Sequence, residues 1–432
     1  MAYVSAIVFA LILGASAFFF ARSIGRVRRN IGLGRKTPLD TSWATMARVA
    51  LGQSKMVVRP IPTILHLCVY VGFLVINIEV VEIVIDGLLG THRVLGMLGP
   101  VYDAITVGAE VFFVLVMLAT IAFLVRRNVL KVKRFSGTEM GRFPKLDANI
   151  ILWTEIVLIL ALVVMNTADQ ALQQAGHAAY PSVGTFPITS QLVPLFAGLD
   201  TGTLVVVERV AWWLHIVGIL LFLNYIPHSK HFHILMAFPN TYFTPQRAKG
   251  HFPIHERVKQ EVTLMLDPSA PAPADTGEPA TFGAKDVFDL SQKNLMDAYS
   301  CTECGRCTSQ CPANLTGKLL SPRKVMMDTR DRMETVGRVM DANKDQWVDD
   351  GKTLLDSISQ QELWACTSCN ACVQACPVNI NPLDIILQMR QYLVMEQSQA
   401  PDALMAMFNN IENNGAPWPI PASDRFNWAS KA

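Results

Sequence analysis

Two stretches decide how this chain is read: Cys301-Thr-Glu-Cys304-Gly-Arg-Cys307-Thr-Ser-Gln-Cys311-Pro312 and Cys366-Thr-Ser-Cys369-Asn-Ala-Cys372-Val-Gln-Ala-Cys376-Pro377. Their spacing is the same, and together they hold eight of the nine cysteines. Three thiolates two residues apart on a tight turn reach three corners of one [4Fe–4S] cubane. The cysteine before the proline is turned towards the neighbouring cluster, as in bacterial two-cluster ferredoxins. The expected ligand sets are therefore crossed. Cys301, Cys304, Cys307 and Cys376 hold one cluster; Cys366, Cys369, Cys372 and Cys311 hold the other. Structural zinc uses paired C-x2-C knuckles, which leaves the x3-Cys-Pro ending unexplained. A disulfide framework needs an oxidising compartment, and the topology below argues against one.

Working outward, the chain is too apolar for an ordinary soluble protein: of 432 residues, 51% are hydrophobic and 17% charged. No basic patch interleaved with aromatics points to nucleic acid. Five stretches reach the ~20 apolar residues that a bilayer crossing needs: Tyr3–Ala21, Ile64–Ile85, Val101–Val125, Ile150–Thr167 and Thr203–Ile226. The first lacks a basic leader and is followed by Arg22, Arg26, Arg28 and Arg29, so it reads as an uncleaved anchor. The loop after the third carries Arg126, Arg127, Lys131, Lys133, Arg134, Arg142 and Lys145, whereas Ala168–Gly202 has no Lys or Arg. Lys and Arg collect on the cytoplasmic side. The expectation is a multi-pass protein of the inner (cytoplasmic) membrane, surrounded by lipid, with its N-terminus outside and the cysteine domain in the reducing cytoplasm.

The chain divides into an anchor span with a basic segment (1–60), a membrane domain (61–245), a Pro/Ala-rich linker (246–284), a cluster domain (285–400) and a C-terminal tail (401–432) suited to docking a partner. In the cluster domain, Ser321-Pro322 opens a helix with Val325, Met326, Met333, Val336 and Met340 on one face. Ser359-x-x-Glu362 is a capping box, and Pro382 opens an amphipathic helix carrying Ile385, Ile386, Met389 and Leu393. The predicted fold class is an all-α membrane protein: a five-span helical bundle plus a mostly helical two-[4Fe–4S] ferredoxin domain.

Ionisable residues inside a bilayer are functional suspects. His66 enters the second span. On the fifth, His215 sits mid-span and His233 comes 18 residues later, a whole number of helical turns, which an unbroken helix would separate by ~27 Å on one face. A b-type haem needs two imidazoles at matched depth on facing helices, and His66 with His233 is the first-choice pair. The alternative for His228, His231 and His233 is contact with headgroups or the soluble domain. His215 lacks an evident partner, because Ile76 and Asn77 stand where one belongs, so a second haem stays open. Glu79, Glu82 and Asp86 either carry protons of quinol oxidation or pair with Arg93 or Arg209.

Residues 60–245 resemble the five-span, haem b-binding gamma subunit of respiratory nitrate reductase, through Ile64-Leu65-His66-Leu67, Trp213-Leu214-His215 and Phe232-His233-Ile234. Residues 285–430 resemble the cluster domain of heterodisulfide reductase-related proteins. The stretches that carry this are Asp297-Ala-Tyr-Ser-Cys301 onward, Leu320-Ser-Pro-Arg-Lys324 and Trp364-Ala-Cys-Thr-Ser-Cys369. The combined resemblance implies a membrane iron–sulfur oxidoreductase subunit linking menaquinone or ubiquinone, through haem b and two [4Fe–4S] clusters, to a cytoplasmic partner. That partner is an electron-transfer flavoprotein or a disulfide and thiol system. Such proteins often continue into a cysteine-rich CCG domain, so a separate CCG-domain iron–sulfur subunit is expected here. The alternative is a haem-free membrane anchor carrying a ferredoxin domain.

Overall fold

A computed structural model describes residues 2–248, 250–252, 254, 256–271 and 282–430. Helices dominate, and no β-strand forms among the described residues. The chain separates into two units. The first comprises residues 1–29, 42–244 and 299–305; the second comprises 30–41, 245–298 and 306–432. Part of the expected Pro/Ala-rich linker, residues 272–281, lies outside the described residues.

The first unit is built on helices α1 (Ala2–Ile31), α2 (Pro60–Leu89), α3 (Pro100–Leu124), α4 (Arg142–Gln174) and α5 (Thr201–Tyr225). Each is long and apolar enough to cross a bilayer. Hydrocarbon offers no partner to a bare peptide group, so helices, which satisfy their backbone internally, are what the composition dictates. Proline at the first turn of α2 and α3 starts both, and Gly90 in the left-handed region closes α2. Helices α2 and α3 pack along their length, as do α4 and α5. Two glycines permit that approach: a Cβ on Gly72 would lie 2.3 Å from Val116, and one on Gly218 would lie 2.6 Å from Leu158.

The fifth span departs from the unbroken helix on which the facing of His215 and His233 depended. Helix α5 ends at Tyr225. Pro227 cannot donate to the preceding turn, and two 3-10 turns follow, Ile226–His228 and Lys230–Phe232. Ser229, in extended backbone, accepts a hydrogen bond from the His231 N–H. A new helix, α6 (His233–Tyr242), then begins at the histidine itself.

Buried charges at one end of the bundle pair with each other. The Arg93 guanidinium lies 2.8 Å from Asp169 and 3.8 Å from Glu82, and donates to Asn166 at 2.8 Å. Asp86 accepts from the Arg93 N–H at 2.7 Å and Thr91 Oγ1 at 2.6 Å, while Arg209 pairs with Glu208. Of the three carboxylates on α2, only Glu82 thus meets an arginine side chain among the described residues; Asp86 is satisfied by Thr91 and the Arg93 and Val94 backbone amides, and both Glu79 oxygens are buried without a hydrogen-bond partner. Arg93 is only 8% exposed, so removing it strands Asp169 and Glu82 without their counter-charge. Arg93→Ala is expected to destabilise the unit by about 3–5 kcal/mol, read as a lowered thermal midpoint in detergent.

The second unit follows the sequence pattern closely. Helix α7 (Glu256–Leu266) precedes α8 (Gln292–Ser300), which leads into the first cysteine run. Helix α9 (Pro322–Ala342) is capped by Ser321, whose hydroxyl accepts from the Lys324 N–H. It buries Val325, Met326, Met333 and Val336 almost completely, worth about 1.5–3 kcal/mol per side chain. The capping box forms as expected: Ser359 accepts from the Glu362 N–H, and Glu362 from that of Ser359. It opens α10 (Gln360–Ala365). After α11 (Ala371–Ala375), α12 (Pro382–Met395) buries Ile385, Ile386, Met389 and Leu393. A further helix, α13 (Asp402–Asn414), forms in the segment read as a tail.

Candidate functional site

In the second unit, Cys311, Cys366, Cys369 and Cys372 line one pocket, floored by Leu383 and Ile386 of α12. These are the four residues that crossed ligation assigns to one cluster. Pro312 starts a short turn of helix directly after Cys311, so chain direction changes at that cysteine. Positive φ at Ser368 (55°) and Asn370 (60°) curls the second run back on itself. Backbone amides face the sulfurs: the Ser368 N–H donates to Cys366 Sγ at 3.4 Å, and the Ile380 N–H to Cys376 Sγ at 3.3 Å.

Among the described residues no cysteine forms a disulfide. Burial pushes the Cys372 thiol up to about 12 and raises that of Cys366. Such thiols stay neutral until iron displaces the protons. Four sulfurs in an apolar pocket, without a carboxylate or imidazole lining it, form the donor set of a cubane rather than of a hard cation. Of the remaining four cysteines, Cys301 and Cys304 belong to the first unit and Cys307 and Cys376 to the second.

In the first unit, the rings of His66 and His233 have centroids 6.5 Å apart at 44°. His231 lies 5.6 Å from His233. The His233 Nδ1–H donates to the Lys230 carbonyl at 3.1 Å, which turns Nε2 into the ring's acceptor. Desolvation lowers His233 and brings His231 down to about 3, the latter aided by its two imidazole neighbours. Burial thus favours the neutral ring in each, the form that ligates a metal. His215 stands elsewhere, 4% exposed. Its Nδ1–H donates to the Leu158 carbonyl at 2.8 Å, and Nε2 is buried without a partner.

Two polar groups escaped the sequence reading. Lys230 donates to Glu303 and, at 2.6 Å, to the Pro144 carbonyl. Glu303 sits between Cys301 and Cys304, so the start of the first cysteine run is tied to the histidine turn. Phe232 meets Tyr299 edge-on at 6.3 Å, and Ser300 Oγ reaches the Met236 carbonyl. The other is Arg390, on the face of α12 that also carries Ile386. A charged residue four places after a core isoleucine was the available signal.

Fold and site together define a multi-pass membrane protein with an iron–sulfur redox domain. Residues 300–380 match the family model of the 4Fe-4S dicluster domain. Over 99% of its length the chain is 26% identical to a probable iron-sulfur-binding oxidoreductase, FadF, of Bacillus subtilis, covering 61% of that protein. Over 94% of its length it is 24% identical to the EtfAB:quinone oxidoreductase of Syntrophomonas wolfei, covering 55% of it. A quarter of the chain is 30% identical to one subunit of the ferredoxin:CoB-CoM heterodisulfide reductase of Methanosarcina mazei, covering 53% of that polypeptide. The chain thus spans about three fifths of the length of the first two relatives. No solved structure matches it.

Proposed function

We propose that this chain is the membrane electron-transfer subunit of a quinone-linked iron–sulfur oxidoreductase. In this reading it moves electrons between a cytoplasmic catalytic partner and the menaquinone or ubiquinone pool. Two [4Fe–4S] clusters and a haem b would supply the one-electron chemistry. Electrons run from a flavoprotein towards quinone, a direction supported by the likeness to the Syntrophomonas wolfei quinone oxidoreductase. The cluster side faces the cytoplasm, as the Lys/Arg bias requires.

The observation that carries the membrane half is the 6.5 Å between the His66 and His233 rings. Two imidazole nitrogens each about 2 Å from a shared metal put the ring centroids roughly 6 Å apart. The Lys230 carbonyl fixes the His233 tautomer, the role outer hydrogen bonds play around ligating histidines. The buried Nε2 of His215 keeps a second ligand position in play. The other residues' work is positioning: Lys230 and Glu303 hold the start of the first cysteine run against the histidine turn, and Leu383 and Ile386 give the second cysteine pocket an apolar floor.

The purified protein is expected to contain about eight non-haem irons and one b-type haem by pyridine haemochrome. Its dithionite-reduced clusters are expected to be reoxidised by menadione or a short-chain ubiquinone. Iron at that level with no haemochrome signal would reduce the chain to a tethered ferredoxin.

A further inference from the structure

The pocket that gathers Cys311, Cys366, Cys369 and Cys372 has no charged side chain among its described lining residues. Four thiolates bring four negative charges there, and each electron accepted adds one more. A cluster so placed is hard to reduce unless a positive charge stands nearby, since net charge and hydrogen bonding set iron–sulfur potentials. Arg390 supplies that charge. Its Nη2 donates to the Leu363 carbonyl at 2.6 Å and to the carbonyl of Cys366, one of the four ligands. Nε donates to Leu363 at 3.0 Å and Nη1 reaches Ser368 Oγ at 3.4 Å. The guanidinium lies 4.9 Å over the Trp364 ring. All these partners fall within Leu363–Ser368, the segment that delivers Cys366 and then turns through positive φ at Ser368.

We propose that Arg390 is a positioning residue for the second cluster that sets its reduction potential. It does so by fixing a positive charge at the Cys366 carbonyl while its planar fork holds the ligand loop. Lysine at this position keeps the charge but loses the fork. The proposal rests on the reading that Cys366, Cys369 and Cys372 share one [4Fe–4S] cluster, and the test separates the two.

The full chain is poised at stepped potentials and both reduced-cluster EPR signals are followed, the second cluster's being identified as the one lost in Cys369→Ser. In Arg390→Gln, only that cluster's midpoint should fall. At fixed potential its reduced-to-oxidised ratio should drop at least about tenfold, or 59 mV for one electron. Arg390→Lys should stay within about threefold of the parent. The proposal is overturned if Arg390→Gln leaves the midpoint in place, moves both clusters equally, or is matched by Arg390→Lys. Should Arg390→Gln fail to retain iron, the lysine variant decides, and a tenfold fall there overturns the role of charge. Loss of both signals or neither in Cys369→Ser would count instead against the second cysteine run holding a single cluster.

Discussion

His66→Ala is expected to yield a protein with its iron–sulfur content intact and little b-type haem. The two imidazoles are contributed by different elements: His66 by α2 and His233 by the first residue of α6, with ring centroids 6.5 Å apart. A haem that His66 and His233 would hold together would lose one of its two protein ligands, so haem content is expected to fall well below one per chain. About eight irons should remain, because neither histidine lies among the cysteines. The informative control is His231→Ala. His231 is nearer to His233 than His66 is, at 5.6 Å, but it belongs to the turn that runs directly into α6, two residues before His233, whereas a haem bracketed by two imidazoles takes them from facing elements. Haemochrome should survive that substitution. A protein that keeps haem without His66 and loses it without His231 would reassign the ligand.

The second large effect concerns which cysteines share a cluster. Cys311→Ser is expected to remove about four irons and the same EPR signal as Cys366→Ser or Cys369→Ser, because all three side chains line one pocket. Cys376→Ser is expected to remove the other signal, together with Cys301→Ser and Cys304→Ser. Ligation within each run predicts the opposite grouping, with Cys311→Ser matching Cys304→Ser. The two schemes differ in which signal disappears, not in how much iron is lost, so spectroscopy on these variants separates them. The buried, neutral state of the Cys372 thiol adds a corollary: iron has to arrive as the protons leave, so reloading the stripped protein should accelerate with rising pH.

Much of this was legible because it depends on local rules. Apolar length alone marks five spans; Ser321-Pro322, the Ser359–Glu362 box and Pro382 mark helix starts; and cysteine spacing marks the clusters. A capping box or a C-x2-C turn is decided by residues within one turn of each other, so the chain states it directly. The crossed pairing that we propose was itself a local reading, since a proline after the fourth cysteine redirects the backbone wherever it occurs.

Three features were settled only in three dimensions. The relation of His215 to His233 read as a helical phase, but Pro227 and the Ser229 cap broke the helix, and phase has no meaning across a break. The carboxylates of α2 read either as proton carriers or as partners of Arg93 or Arg209. Arg93, from the following loop, comes within 3.8 Å of Glu82 and hydrogen-bonds Asp169, more than seventy residues on, contacts that spacing along the chain does not announce. Lys230 with Glu303, and Arg390 with the carbonyls of Leu363 and Cys366, join residues far apart in the chain through single polar groups. Periodicity and spacing describe neighbours along the backbone. Buried charges choose partners by proximity in space, because desolvation leaves them no other way to be satisfied.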